Sequence, residues 1–124
     1  MHLITGGRCM GKRAYAEKFY GNNFKSVCNL KNENLFEADL ILNLHTGVRN
    51  LMLKNIDPVN YFMEHLKILE HSVIIGDDIS CGVIPVDEFE RRWRDNTGII
   101  YQNLAGQADR VDYIWAGLAL KLKG

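Results

Sequence analysis

His2-Leu3-Ile4-Thr5-Gly6-Gly7-Arg8-Cys9-Met10-Gly11-Lys12-Arg13 is the stretch that decides the fold. Its first four residues are a short apolar run with a β-branched pair, bounded by glycine, and read as a buried strand. Beyond it Ala14, Tyr15, Ala16, Phe19 and Tyr20 recur at helical spacing, with Glu17 and Lys18 at polar positions. Strand, glycine loop, helix is the setting in which G-x-x-x-x-G-K binds phosphate. Gly6 and Gly11 allow backbone conformations barred to other residues, so the N–H groups of residues 6–13 can turn inward on an anion. That makes Gly6, Gly7, Arg8, Cys9, Met10, Gly11, Lys12 and Arg13 the expected nucleotide-binding residues. The dipole of the following helix adds to the field, and Lys12 supplies a point charge for the terminal phosphates. A phosphate loop ends in Ser or Thr, whose hydroxyl ligates Mg²⁺; Arg13 stands there instead, with five donors and no acceptor. The expectation is a loop that holds phosphate and grips magnesium weakly. A plain glycine-rich turn is the competing reading, and the position at a strand–helix junction argues against it.

The 124 residues suit one domain, with 47% apolar and 24% charged residues, an ordinary soluble composition. Fifteen basic residues balance fifteen acidic ones, so no global field points to nucleic acid or to an anionic membrane. No apolar run approaches the length of a membrane span and no signal-peptide pattern opens the chain. Cys9, Cys28 and Cys81 are widely spaced and form no C-x-x-C pair, as expected of reduced thiols in a cytoplasm.

The spacing predicts that the first helix ends near Gly21, followed by a short strand within residues 24–30 and a third strand over 38–44. His45-Thr46-Gly47 reads as the loop after that strand, and Val48, Leu51, Met52 and Ile56 as a short amphipathic segment. Asp57-Pro58 is a helix start, with Val59, Phe62, Met63, Leu66 and Leu69 as the apolar stripe. Residues 72–76 are another buried strand, and Asp77-Asp78 sits where it leaves the sheet. A loop over 81–85 feeds a long helix from about residue 86 to 107, interrupted in propensity at Gly98. Residues 111–115 and 118–122 alternate like half-buried strands. The order argues for a three-layer α/β fold with a mainly parallel sheet, its final pair antiparallel, and ligands beyond the strands' carboxyl ends. That rim would carry the Gly6 loop, His45 and the two aspartates. His2, His65 and His71 read as exposed or capping. Arg91, Arg92 and Arg94 read as an anion clamp or, more simply, as a solvated helix face.

The C-terminal half adds a resemblance. Asp77-Asp78-Ile79-Ser80-Cys81-Gly82-Val83-Ile84-Pro85, Arg91-Arg92-Trp93-Arg94-Asp95, Gly98, Gln102-Asn103-Leu104-Ala105, Ala108-Asp109 and Ala116-Gly117-Leu118 resemble one family. It is the bifunctional adenosylcobinamide kinase/adenosylcobinamide-phosphate guanylyltransferase family of cobalamin assembly. Its corresponding stretch runs approximately N-E-V-G-x-G-I-V-P, R-x-F-R-D-x-x-G-x-x-N-Q-x-L-A, A-D-x-V. Thr5-Gly6-Gly7-Arg8, Gly11-Lys12 and Ala16-Glu17 are similar to the family's opening T-G-G-A-R-S-G-K-S-x-x-A-E. The resemblance implies a P-loop α/β domain, ATP or GTP as cofactor with Mg²⁺, a nucleotide and a corrinoid (cobinamide) as partners, and a homo-oligomer. It pairs Lys12 with Asp78, at the family's Glu position, as the catalytic residues.

The departures bear on activity. The chain is short, and the missing segment falls where the family carries the histidine that takes the guanylyl group; residues 21–37 contain no histidine. Arg13 replaces the family's Ser, and Asn43 stands near where the family strand ends in a carboxylate. The expected function is therefore nucleotide binding tied to cobalamin biosynthesis, with guanylyl transfer lost. A weak cobinamide kinase-like phosphotransferase and a non-catalytic partner subunit stay open beside it.

Overall fold

The computed structural model describes residues 1–8, 10–79 and 87–124; Cys9 and the expected loop over 81–85 lie outside them. Six strands and five helices follow in the order β1 (His2–Gly6), α1 (Lys12–Tyr20), β2 (Val27–Asn29), β3 (Leu40–Leu42), α2 (Leu44–Leu53), α3 (Pro58–Glu64), α4 (Leu66–Leu69), β4 (Val73–Asp77), α5 (Glu88–Gln107), β5 (Arg110–Trp115) and β6 (Leu118–Lys123). The strands make one sheet in the order β2-β3-β4-β1-β5-β6, parallel except for the antiparallel β5–β6 pair. The α/β class expected from the alternation of elements is what the chain adopts.

The topology puts the helices on unequal sides. Strand β1 lies near the middle, and the first crossover runs from it outward to β2, whereas the later ones run from β3 to β4 and from β4 to β5. Right-handed crossovers in opposite directions place their helices on opposite faces. Side chains alternate accordingly. Leu3, Ile41, Ile74 and Val111 pack with Leu44, Val48, Phe62, Leu69, Ile100 and Leu104 on the face of α2 to α5. Ile4, Leu40, Leu42, Val73, Ile75 and Ile114 pack with Ala16 on the face that α1 covers alone. Parallel strands covered on both faces read as unbroken apolar runs, which is why 73–75 and 40–42 stand out.

Local chemistry sets most element ends. Gly21 ends α1 in the left-handed conformation, φ 65°, as a glycine cap should. Asp57 accepts from the N–H groups of Val59 and Asn60, and Pro58 opens α3. Three expectations change, while α5 meets the long helix expected to about residue 107. His45-Thr46-Gly47 belongs to the first turn of α2, because Asn43, at φ 59°, turns the chain into a helix directly after β3. The helix expected from Asp57 to Leu69 is two, split at His65, whose Nδ1 lies 2.6 Å from the Tyr61 carbonyl. Helix α5 runs unbroken through Gly98. Strand β6 is exposed at every residue rather than half-buried.

His2 also departs from its expected exposure. It is buried, with Nδ1 2.6 Å from Tyr20 Oη and Nε2 2.6 Å from Asp112 Oδ2. Asp112, wholly buried, also accepts from Arg110 Nε at 2.8 Å. A neutral imidazole satisfies this arrangement, donating from Nε2 to the carboxylate and accepting at Nδ1 from the tyrosine. Burial lowers the His2 pKa from its ordinary 6.5, although Asp112 opposes the shift. The folded chain therefore binds this proton less readily than the unfolded chain, so stability present above about pH 6.5 is lost as pH falls below it. Urea-unfolding midpoints should decline between pH 7.5 and 5, and a His2→Gln variant should show a shallower decline. An identical slope in that variant would exclude His2 as a source of the pH dependence.

Candidate functional site

The carboxyl ends of β1, β3 and β4 converge on the glycine loop. Gly6 passes so close to β5 that an added Cβ would lie 2.2 Å from the Ile114 carbonyl oxygen, so no larger residue fits. Gly11, at φ 89°, takes the left-handed turn into α1. Lys12 then begins the helix with its side chain folded back over the loop. Its Nζ donates to the Gly7 carbonyl at 2.7 Å and contacts Asp77 Oδ1 at 2.7 Å, and the side chain is only 7% exposed. A lysine amine so enclosed needs an anion, and Asp77 at the end of β4 is that anion.

Asp77 is held from every side. Its backbone N–H donates to His45 Nδ1 at 2.9 Å, and His45 Nε2 lies 3.3 Å from its Oδ2. Tyr101 Oη donates to its backbone carbonyl at 2.6 Å. Burial first, then Asp77 and Asp78, keep the Tyr101 hydroxyl protonated by raising its pKa well above the usual value. His45 in turn is anchored by Trp93 Nε1, which donates to its carbonyl at 2.7 Å. Burial, with Lys12 and Arg8 adding to it and Asp77 opposing, lowers the His45 pKa. Because Nδ1 accepts a backbone N–H, protonation there would set one N–H against another. Both ring nitrogens serve Asp77, so His45 orients that carboxylate and has no lone pair left to act as a base.

On the side of β2 and β3 the loop opens into a cavity of about 360 Å³ that includes Met10, Lys12, Arg13, Asn29 and Asn43. The Asn43 amide donates to Asn29 Oδ1 at 2.8 Å. Arg13 is exposed and pairs with Glu17 one helical turn on, Nε to Oε1 at 3.0 Å, which leaves Lys12 as the cation seated over the loop. Arg8 is exposed as well.

The sequence-derived residues thus divide. Gly6, Gly7, Met10, Gly11 and Lys12 come together as expected, while Cys9 lies outside the described residues. Asp78 is at the rim, but its N–H bonds the Gly6 carbonyl and its carboxylate lies 3.4 Å from Tyr113 Oη; the carboxylate against Lys12 is that of Asp77. Arg91 and Arg92 lie on the exposed side of α5. Arg49, one turn beyond His45 on α2, lies 5.1 Å from the Phe89 ring centre and 5.0 Å from that of Trp93, and pairs with Glu90. Trp93 and Tyr101 are half-buried and hydrogen-bonded into the site. Their spacing of eight residues, with Thr97 between, puts them on one helix face and was the available signal.

Whether these residues fit a nucleotide with its metal has two answers. The glycine turn, the start of α1 and Lys12 suit phosphate. Position 13 carries no hydroxyl and position 43 no carboxylate, and no group of three or more His, Cys, Asp or Glu that could hold a metal occurs among the described residues. No helix among those residues is long and apolar enough to cross a membrane.

Comparison with known proteins agrees with this architecture. The model of the family described as cobinamide kinase / cobinamide phosphate guanyltransferase, CobU, matches residues 30–122. That match takes in β3, β4, α5 and the β5–β6 hairpin and begins after the glycine loop. The bifunctional adenosylcobalamin biosynthesis protein CobP of Pseudomonas aeruginosa is 35% identical over 52 residues, which are 42% of this chain and 30% of that protein. The match therefore spans less than a third of the relative's length. With three-quarters of its residues inside the family match, a mainly parallel α/β sheet and a loop with Lys12 at the rim, the chain belongs to the cobinamide kinase / cobinamide phosphate guanyltransferase family of cobalamin biosynthesis.

Proposed function

We propose that this protein binds ATP or GTP at residues 6–13 and serves the cobinamide branch of cobalamin biosynthesis in the cytoplasm without transferring a guanylyl group. The observation that carries the reading is Lys12, enclosed over a glycine turn between Gly7 and Asp77 at the start of α1. In this reading the outer phosphates take the loop N–H groups and share Lys12 with Asp77, while the Asn29–Asn43 amide pair borders the side from which a phosphoryl acceptor, a corrinoid alcohol, would approach. Phosphoryl transfer depends on positioning and on a metal that bridges the outer phosphates. The loss of the hydroxyl at position 13 and of a carboxylate at position 43 weakens that bridge, and residues 21–37 supply no histidine for a guanylyl group. Turnover is thus slow or absent. Weak kinase activity is the alternative, and the ion pair of Lys12 with Asp77 at the rim is what favours it.

Lys12→Ala should abolish calorimetric nucleotide binding. Equal affinity in that variant would defeat the phosphate site. Incubation with Mg²⁺, labelled ATP or GTP and adenosylcobinamide should give binding with little product, and Arg13→Ser should raise the product yield. Robust phosphorylation by the unaltered protein would instead establish the kinase.

Homo-oligomerisation is part of this proposal. Strand β6 is a sheet edge with Leu118, Leu120 and Leu122 exposed beside Trp115, itself 63% exposed. An apolar edge of this kind pairs readily with another chain. Light scattering at micromolar concentration should give a mass above that of one chain, and Leu120→Lys should lower it; a monomer before substitution would reject this.

A further inference from the structure

The Lys12 amine has three N–H donors, and the fold already uses two of them. One goes to the Gly7 carbonyl at 2.7 Å and one to Asp77 Oδ1 at 2.7 Å, so among the described residues a single donor is left for a ligand. An anion that reaches this amine comes to stand beside a carboxylate bound to the same nitrogen. Two like charges so close, partly shielded from water, repel each other strongly. The nearby arginines make up little of the charge that Asp77 cancels. Arg13 turns to Glu17, and Arg8 is exposed, where solvent screens it.

Asp77 is also held where it stands. Its N–H donates to His45 Nδ1 at 2.9 Å and its carbonyl accepts from Tyr101 Oη at 2.6 Å, which fixes the backbone at the end of β4. Its second carboxylate oxygen, Oδ2, lies 3.3 Å from His45 Nε2. With Nδ1 accepting a backbone N–H, Nε2 carries the ring proton and directs it at that oxygen. Burial lowers the His45 pKa, so the imidazole stays neutral and brings no positive charge to offset the carboxylate. The carboxylate is thus tied at both oxygens, one to the amine and one to the ring.

We propose, on the basis of the nucleotide reading above, that Asp77 is a built-in competitor for Lys12: it neutralises the amine and keeps the phosphate affinity of the loop below what the glycine turn and the lysine would otherwise give. The pair then stabilises the fold and opposes the ligand, two effects of opposite sign. A residue that only held the loop in shape would, on removal, lower stability and affinity together.

The test measures the binding of inorganic tripolyphosphate by calorimetry, and thermal unfolding, for the unaltered protein and for Asp77→Asn, His45→Asn and Asp95→Asn. Asp77→Asn keeps the size of the side chain and removes its charge. Tripolyphosphate should bind about tenfold more tightly, while the protein without ligand should unfold at a lower temperature because Lys12 has lost its anion. His45→Asn keeps an acceptor for the Asp77 N–H and loses Nε2, which frees the carboxylate to turn toward water. It should tighten binding by less, and it decides the question if Asp77→Asn does not fold. Asp95→Asn makes the same change of net charge at an exposed position of α5 and should leave the affinity as it was. Binding by the unaltered protein that Asp77→Asn leaves unchanged or weakens would overturn the competitor and leave the phosphate loop in place. Equal tightening in Asp95→Asn would reduce the effect to net charge and overturn it as well. No binding of tripolyphosphate by the unaltered protein or by any variant would overturn the phosphate reading and the competitor with it.

Discussion

A lysine amine taken out of water has to meet an anion, and the site is arranged around that requirement. Lys12 belongs to the segment that follows β1, and Asp77 ends β4, so their ion pair joins two neighbouring strands at the rim. Removing one partner of such a pair leaves the other buried and unpaired, which costs more than the pair itself contributes. The supports extend outward in order. Tyr101 and Trp93 come from α5, His45 from α2, and each fixes either Asp77 or the residue that holds it. Gly76 shows how tight the fit is, since an added Cβ would fall 2.2 Å from Tyr101 Oη. The loop is thus positioned by helices on the far face of the sheet as much as by its own glycines.

A second buried ionic cluster lies at the opposite end of β1. His2, Asp112, Arg110 and Tyr20 complete one another's hydrogen bonds, and the Arg110 guanidinium lies 4.8 Å from the Phe19 ring centre. Both Arg110 and His2 hold the Asp112 carboxyl below its ordinary range against the effect of burial. The central strand is therefore polar at its two ends and apolar between them, and each end fixes its register against a neighbour. That is a constraint on pairing: a shift by one residue would carry His2 to the other face and leave Asp112 without its partner.

What could be read from the sequence divides along physical lines. The glycine loop, the α1 cap at Gly21 and the Asp57-Pro58 start depend on neighbouring residues, so they were legible. The apolar runs over 40–42 and 73–75 announced a sheet covered on both faces. His45 was misplaced because an asparagine in the left-handed conformation removed the loop after β3. The burial of His2 and the choice of Asp77 over Asp78 against Lys12 rest on partners far along the chain, and no local pattern reveals which of two adjacent carboxylates faces inward. The exposure of β6 was hidden for a different reason: its alternation of leucine with alanine and lysine is that of a half-covered strand, while the helix that would cover it lies elsewhere.

The position of β1 has a consequence for the order in which structure is gained. It enters the sheet between β4 and β5, pairing His2 with Val73 on one side and with Arg110 on the other. The bond from His2 to Asp112 spans 110 residues. Contacts so distant along the chain carry a large loop-closure entropy and slow folding. A chain emerging from the ribosome therefore shows its first strand and glycine loop long before it can give them neighbours. Until β4 and β5 follow, β1 is an apolar strand with two unpaired edges, and the glycine loop after it is among the last parts of the fold to take shape.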